Sequence, residues 1–391
     1  MSPKLFDWPN FPEISLEKTM ARRANGEGSI YQRQDGRWAA SVSIGRAQRK
    51  HFIGQRRKDV VDELTAALKA QNDGLPVVTE RQAFGSFARS WLETVKPTLK
   101  PRTWERYEQL LRVHAFPHLQ SVSLTKLTPQ HLQRLYAASQ ETGSSPATVR
   151  QLHAVIHRCL KQAHRWNVVG RNVADLVSAP RVHRREMRVL SPSEARVLLE
   201  AAQGDRLEAL YVLALSTGAR QGEILGLRWR DIDLDNGAMN VSRTLHHMRG
   251  GFIFTEPKSG HSKRQVELTD TAIVALRRHR INQAEERLRA GPARDDQDLV
   301  FPTKTGNPMD ASNLLRERFY PLLERAGLPK IRFHDLRHTA ATLLLGRGMH
   351  AKIVSEMLGH SNIGITMDLY SHVTPTMQKE AARVMDAILR P

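Results

Sequence analysis

From Phe84 to about Ala179 apolar side chains recur at helical spacing, and this constrains the fold more than any other feature of the chain. Stripes such as Phe84, Phe87, Trp91 and Leu92, or Leu132, Leu135 and Tyr136, gather their apolar groups on one face. The runs break at Pro97, Pro117, Pro129 and Gly143-Ser144-Ser145-Pro146, where the backbone loses a donor or gains freedom. A bundle of four or five helices is predicted. Aromatic residues at this spacing read as core rather than as a platform for stacking nucleic-acid bases.

The charge is concentrated in the same stretch. The 391-residue chain has a net charge of +19, and residues 81–185 hold 17 Lys and Arg against 5 Asp and Glu, more than half of the excess. Arg102, Arg106, Arg112, Arg150, Arg158, Lys161 and Arg165 are expected on the outside of the bundle, as a phosphate-neutralising surface whose affinity falls as salt rises. The partner this implies is a polyanion. No strongly apolar face accompanies the charge, and no run approaches the roughly 18 consecutive apolar residues of a spanning helix, so a membrane is not expected. The N-terminal MSPKLFDWPNF lacks the pattern of a secretory signal, and the single cysteine, Cys159, excludes a disulfide framework or a cysteine-built zinc site. Both features fit a reducing cytoplasm.

A chain of this length exceeds one core, and its composition shifts along the sequence. Residues 1–25, with Pro3, Pro9 and Pro12 and no periodicity, read as an arm. Residues 28–54 carry short β-favouring runs around a Gln34-Asp35-Gly36 turn, and residues 58–71 follow as a helix with Val60, Leu64, Ala67 and Leu68 on one face. Ten Lys or Arg against two acids in residues 22–58 fit a sheet lying on a DNA groove, or equally a solvated basic face. Residues 74–82 read as a linker and 181–188 as a charged connector, and Ser191-Pro192-Ser193-Glu194 starts a new helix. The last region then shows helices, three candidate strands at 239–245, 251–255 and 264–268, and helices to the end. The expected fold is mainly α with small β elements (α+β). Its four parts are an arm (1–25), a three-stranded sheet plus helix (26–75), a helical bundle (82–180) and a C-terminal domain (188–391).

Four segments of the C-terminal region carry residues suited to chemistry. In ALSTGARQGEILGLRW, Thr217-Gly218 interrupts an apolar helix, and Arg220 stands at the start of the next, where a guanidinium beside free N–H groups clamps a phosphate. The plainer reading pairs Arg220 with Glu223 as a surface bridge. In TEPKSGHSKRQVEL a hairpin is predicted, with Lys258, Lys263 and Arg264 around Ser259-Gly260; such a lysine delivers a proton to a leaving oxygen, or merely guards a strand edge. In IRFHDLRHTAATLLLGRG, His334 and Arg337 share a face at the start of an amphipathic helix. His334 and His338 have metal-ligand spacing, but the glutamate of an HExxH motif is missing and no metal is expected. In AKIVSEMLGHSNIGITMDLYSHV, Gly359 reads as a helix C-cap, with His360 just beyond it and Tyr370 on the following helix. That helix, turn and helix also describes a DNA-reading regulator.

Taken in order, TGARQGE, HDLRH and LGHSNIGITMDLY resemble the boxes of the tyrosine recombinase (phage integrase) family. The resemblance covers the C-terminal half. The middle helical segment resembles the family's core-site-binding domain, and the N-terminal sheet and helix its arm-binding domain. It implies that Tyr370 attacks a DNA phosphodiester to form a 3′-phosphotyrosyl link and free a 5′-hydroxyl. Arg220 and Arg337 would grip the non-bridging oxygens, Lys258 would protonate the leaving oxygen with Lys263 close by as the other candidate, and His334 and His360 would assist. A tyrosine hydroxyl, with a pKa of about 10, needs such a base or cationic field to attack at neutral pH. Paired guanidiniums supply the charge that two metal ions supply elsewhere, so no metal and no cofactor is implied, and there is no GxxxxGK[ST] loop for a nucleotide.

The partners implied are double-stranded DNA at core and arm sites and further copies of the chain, four on two duplexes, with room for accessory DNA-bending or excision factors. The setting implied is the nucleoid of a bacterial or phage-infected cell. After Tyr370, the residues Met377, Ala381, Val384, Met385 and Ile388 form an apolar stripe that docks on a neighbouring protomer or folds back on its own domain. The alternatives to integration or excision of a mobile element are DNA relaxation of the type IB topoisomerase kind and a non-catalytic helix-turn-helix regulator.

Overall fold

The structure, a computed structural model, describes residues 28–45, 48–72, 82–182, 187–256, 263–291, 297–370, 382–383 and 385–390. Its contacts divide it into two units, Met1–His183 and Arg184–Pro391.

The first unit begins with three antiparallel strands, β1 (Ser29–Gln32), β2 (Trp38–Gly45) and β3 (Gln48–Gly54). The turn between β1 and β2 closes with Gly36 donating to the Arg33 carbonyl at 3.0 Å. Helix α1 (Arg57–Asn72) packs on this sheet, burying Val60, Leu64 and Ala67 against Ala40 and Val42.

The helical part follows as α2 (Phe84–Val95), α3 (Pro101–Leu110), α4 (Phe116–Leu119), α5 (Pro129–Glu141) and α6 (Pro146–Arg165). A π-helical turn, Leu111–Ala115, carries α3 into α4 without a break, and Pro117 follows directly after it, so the helical run continues through the proline rather than ending there. Phe84, Phe87, Trp91, Leu132, Leu135 and Ile156 are buried in one core, as the stripes require. Trp91 stacks on Tyr107 inside the protein, at 6.2 Å between ring centroids. Arg102, Arg112, Arg150, Arg158, Lys161 and Arg165 are exposed; Arg106 is half-buried, held by Gln151 Oε1 at 3.0 and 3.1 Å.

In the second unit, Ser191 caps α7 (Pro192–Ala201) through a capping box with Glu194. Helices α8 (Glu208–Thr217) and α9 (Gln221–Leu225) follow. Among the described residues the β region holds five strands where three were predicted: β4 (Ile232–Asp233), β5 (Ala238–Val241), β6 (Thr244–Met248), β7 (Gly251–Thr255) and β8 (Arg264–Glu267). The run 239–245 is not one strand. Ser242 is bonded to Asp231 at 3.2 Å, and Arg243 donates to the Gly226 carbonyl at 2.7 Å with its guanidinium over the Phe254 ring, so the chain leaves one sheet there and enters another.

The predicted hairpin across residues 255–268 is also corrected. Strand β7 pairs with β6, whereas β8 pairs with β5 in the sheet β4-β5-β8. Helices α10 (Asp270–Ala290), α11 (Ala311–Leu314), α12 (Tyr320–Arg325), α13 (Phe333–Gly346), α14 (Ala351–Leu358) and α15 (Gly364–Tyr370) complete the unit. Buried α8 is the axle: α10 and α13 both pack on it, and α15 packs on α13 and α14. The expected class, mainly α with small sheets, is the class found. No helix among the described residues is long and apolar enough to cross a membrane.

Candidate active site

Helix α8 ends at Gly218, which adopts φ +60°, a left-handed conformation that a side chain strains to enter. A Cβ there would also stand 2.3 Å from Leu358 Cδ2. The reversal puts Arg220 at the N-cap of α9, where its backbone N donates to Glu223 Oε2 at 3.0 Å and its Nη1 to Glu223 Oε1 at 2.7 Å. The pair is not the surface bridge that the spacing also allowed, because Glu223 is only 4 % exposed. The second arm of the Arg220 fork, Nη2, donates to the Gly359 carbonyl at 3.1 Å.

Arg337 comes from the first turns of α13 and is 3 % exposed. Its Nη1 donates to the Gly218 carbonyl at 2.8 Å, so the glycine that turns the chain toward Arg220 also holds Arg337. Its Nη2 is buried and has no hydrogen-bond partner among the described residues. Burial, and then the charge of Arg220, presses its pKa down to about 9, which still leaves the guanidinium charged at neutral pH. A buried charged donor left unsatisfied costs about 1–3 kcal/mol or more, and an anion relieves that cost.

Three histidines surround the arginines. His334 is exposed at the site's edge, with its ring perpendicular to that of His338 at 4.9 Å. The protein mass around His334, then His338, Arg337 and Arg220, holds its pKa at about 4. His360 follows Gly359, the left-handed C-cap of α14 at φ +67°, and its backbone N reaches back to the Ser355 carbonyl at 3.0 Å. Its Nδ1 shares a 2.8 Å hydrogen bond with the fully buried Thr366 hydroxyl. Burial, Arg337 and Arg220 hold its pKa at about 3. Both rings are therefore neutral at pH 7. His338 Nδ1 is another buried atom without a hydrogen-bond partner among the described residues. His334 and His338 gather no third metal-ligating side chain among the described residues.

Arg220, His334, Arg337 and His360 thus converge from α9, α13 and the turn after α14. Tyr370 is the last residue of α15, whose backbone packs against α13 and α14; its side chain lies outside the described residues. Lys258 lies outside them as well. Lys263 is engaged at the surface with Glu256, at 2.9 Å. Sequence reasoning set Arg264 beside the predicted turn without a role of its own and missed Thr366. Arg264 donates to Glu223 Oε2 at 3.0 Å and to the Met357 carbonyl at 2.7 Å, partners 41 and 93 residues away that no local pattern announces.

A cluster of fixed guanidiniums and neutral imidazoles beside a tyrosine-bearing helix is equipment for transfer at a phosphodiester. The Phage integrase family profile matches residues 188–377, and that of the phage integrase N-terminal SAM-like domain matches residues 83–138. A tyrosine recombinase XerC-like protein of Caldanaerobacter subterraneus subsp. tengcongensis is 32% identical across 94% of this chain and 99% of its own length. The chain belongs to the phage integrase family and is a tyrosine recombinase.

Its fold is shared with a Tn1549 transposon integrase solved with a circular intermediate DNA, at a TM-score of 0.64 and 23% identity over 76% of this chain and 99% of that one. It is shared too with a lambda integrase tetramer bound to a Holliday junction, at a TM-score of 0.55 and 17% identity over 89% of this chain and 96% of that one. This membership sets the chain among strand-transfer enzymes, ahead of the regulator and relaxation readings.

Proposed function

We propose that the chain integrates or excises a mobile element by cutting and rejoining double-stranded DNA through a phosphotyrosyl bond at Tyr370. The observation that supports this reading is the buried Nη2 of Arg337 beside Arg220, without a hydrogen-bond partner among the described residues, a donor set suited to an anion. Arg220 and Arg337 hold the non-bridging oxygens and stabilise the charge that builds as the phosphorus becomes five-coordinate. His334, neutral at pH 7, accepts the tyrosine proton. When Thr366 donates to Nδ1 of His360, the proton of that neutral ring sits on Nε2 and is available to a phosphate oxygen. Lys258 protonates the leaving 5′-oxygen, a role supported by the engagement of Lys263 with Glu256. The phosphotyrosyl bond keeps the energy of the broken phosphodiester, so the 5′-hydroxyl of a second duplex reverses the attack.

The DNA is read at core sites by the basic helical bundle of residues 82–180 and at arm sites by the sheet and helix of residues 26–75. Four copies act on two duplexes in the cytoplasm, at the nucleoid, with accessory bending or excision factors choosing direction. The test is junction exchange. Two labelled fragments, one with the junction of the element and one with its empty target, are incubated with the protein, and recombinant fragments are scored. Wild type should yield them and Tyr370→Phe should not; supercoil relaxation without recombinant fragments would instead favour a topoisomerase.

A further inference from the structure

Arg264 opens β8, six residues after Lys258, and its side chain is only 7 % exposed, that of its partner Glu223 3 %. We propose that Arg264 is a positioning residue for DNA cleavage, which keeps Arg220 directed at the phosphate and holds the turn that carries His360. This rests on the strand-transfer reading of the site.

The argument begins with Glu223. Its Oε1 takes the Arg220 guanidinium, while its Oε2 takes Arg264 and the Arg220 backbone N–H. One carboxylate is therefore divided between two guanidiniums. A lone arginine beside a carboxylate prefers the two-pronged arrangement with both oxygens. Arg264 occupies one oxygen and denies Arg220 that arrangement, so the second arm of Arg220 stays on the Gly359 carbonyl. Charge points the same way. Arg220, Arg264 and Arg337 with Glu223 leave a surplus of two positive charges; without Arg264 the surplus is one, and Glu223 neutralises the arginine that should meet the phosphate.

The other arm of Arg264 acts on α14. Its Nε donates to the Met357 carbonyl at 2.7 Å, and a Cβ on Gly359 would stand 3.0 Å from its Nη1. Arg220 and Arg264 together cap the C-terminal end of α14, where unsatisfied carbonyls and the helix dipole favour cations, and His360 is the next residue out. One side chain thereby joins the strand after the lysine segment, the first arginine and the second histidine.

Lysine cannot replace this function fully, because one ammonium lacks the fork that spans the Met357 carbonyl and Glu223 Oε2. The experiment measures single-turnover formation of the covalent adduct at saturating concentrations of a nicked duplex spanning the element's junction. DNA dissociation constants and thermal melts are recorded for wild type, Arg264→Gln and Arg264→Lys.

Arg264→Gln should bind DNA as wild type does, melt cooperatively and cleave about 10- to 100-fold more slowly, with Arg264→Lys in between. Wild-type cleavage by Arg264→Gln, or a loss of binding that accounts for the loss of cleavage, would overturn the proposal. If Arg264→Gln does not fold, Arg264→Lys decides: slow cleavage with intact binding supports it, and wild-type cleavage or a second failure to fold overturns it. Absence of any adduct with wild type would strike the strand-transfer reading itself, which separates the two failures.

Discussion

The helical bundle and the candidate active site use positive charge in opposite ways. In the bundle, Arg102, Arg112, Arg150, Arg158, Lys161 and Arg165 are exposed on helices whose other faces form a complete apolar core. In the site, Arg337 and the side chain of Arg264 are buried, Arg220 is half-buried, and each has at least one arm fixed to a named acceptor. Exposed cations are numerous and within reach of solvent, and such cations neutralise phosphates wherever these fall. Buried cations are few, oriented before the substrate arrives and strengthened by exclusion of water. On the proposed function, charge in bulk serves affinity and charge in fixed positions serves the reaction.

The largest expected effect is at the site. Arg337→Gln should lower adduct formation by about 10²–10³-fold while leaving the dissociation constant for DNA close to wild type, because an oriented donor to the transition state is lost. Equal losses in binding and cleavage would merge the two regions into one electrostatic surface.

Next comes Gly218→Ala, which forces a side chain into φ +60° and against Leu358. A cost of about 2–4 kcal/mol is expected from strain and overpacking together, seen as a lower denaturant midpoint at an unchanged m-value.

The histidines add a pH dependence. His334 and His360 ordinarily titrate near a pKa of about 6.5, but the folded site holds them at about 4 and 3. Between those values the unfolded chain takes up protons that the folded chain refuses, so stability should fall as pH drops below about 6.5 and go on falling through the folded values. Chemical denaturation at pH 7.5 and 5.5 should show the loss, smaller in the double variant His334→Gln, His360→Gln. An equal loss in that variant would assign it elsewhere.

The smallest effect belongs to the bundle. Removing one exposed cation, as in Arg158→Ala, should weaken binding similarly across DNA sequences and reduce the salt slope by about one, with cleavage at saturating DNA unchanged.

The sequence was most legible where function and local periodicity coincide. His334 and Arg337 share a helical face at i and i+3, and Gly218 and Gly359 announce helix ends, so these could be read one segment at a time. The strands were less legible. Strand 239–245 reads as continuous by alternation, yet Ser242 and Arg243 are drawn off by Asp231 and Gly226, contacts that local pattern does not encode. The predicted hairpin failed for a related reason: β8 finds its partner in β5, across an intervening hairpin of β6 and β7. Glu223 was visible as a neighbour of Arg220, but its burial and its second arginine became evident only once the chain had folded.

The most direct test of the central claim is covalent trapping in EDTA without ATP. Fragments spanning the element's junctions are incubated with wild type or Tyr370→Phe and quenched in SDS. A DNA-linked protein band in the wild-type lane alone is the predicted result, and it maps the cut site as it establishes the nucleophile. Binding of the same fragments by both proteins with no covalent band, even on nicked duplexes, would contradict the account.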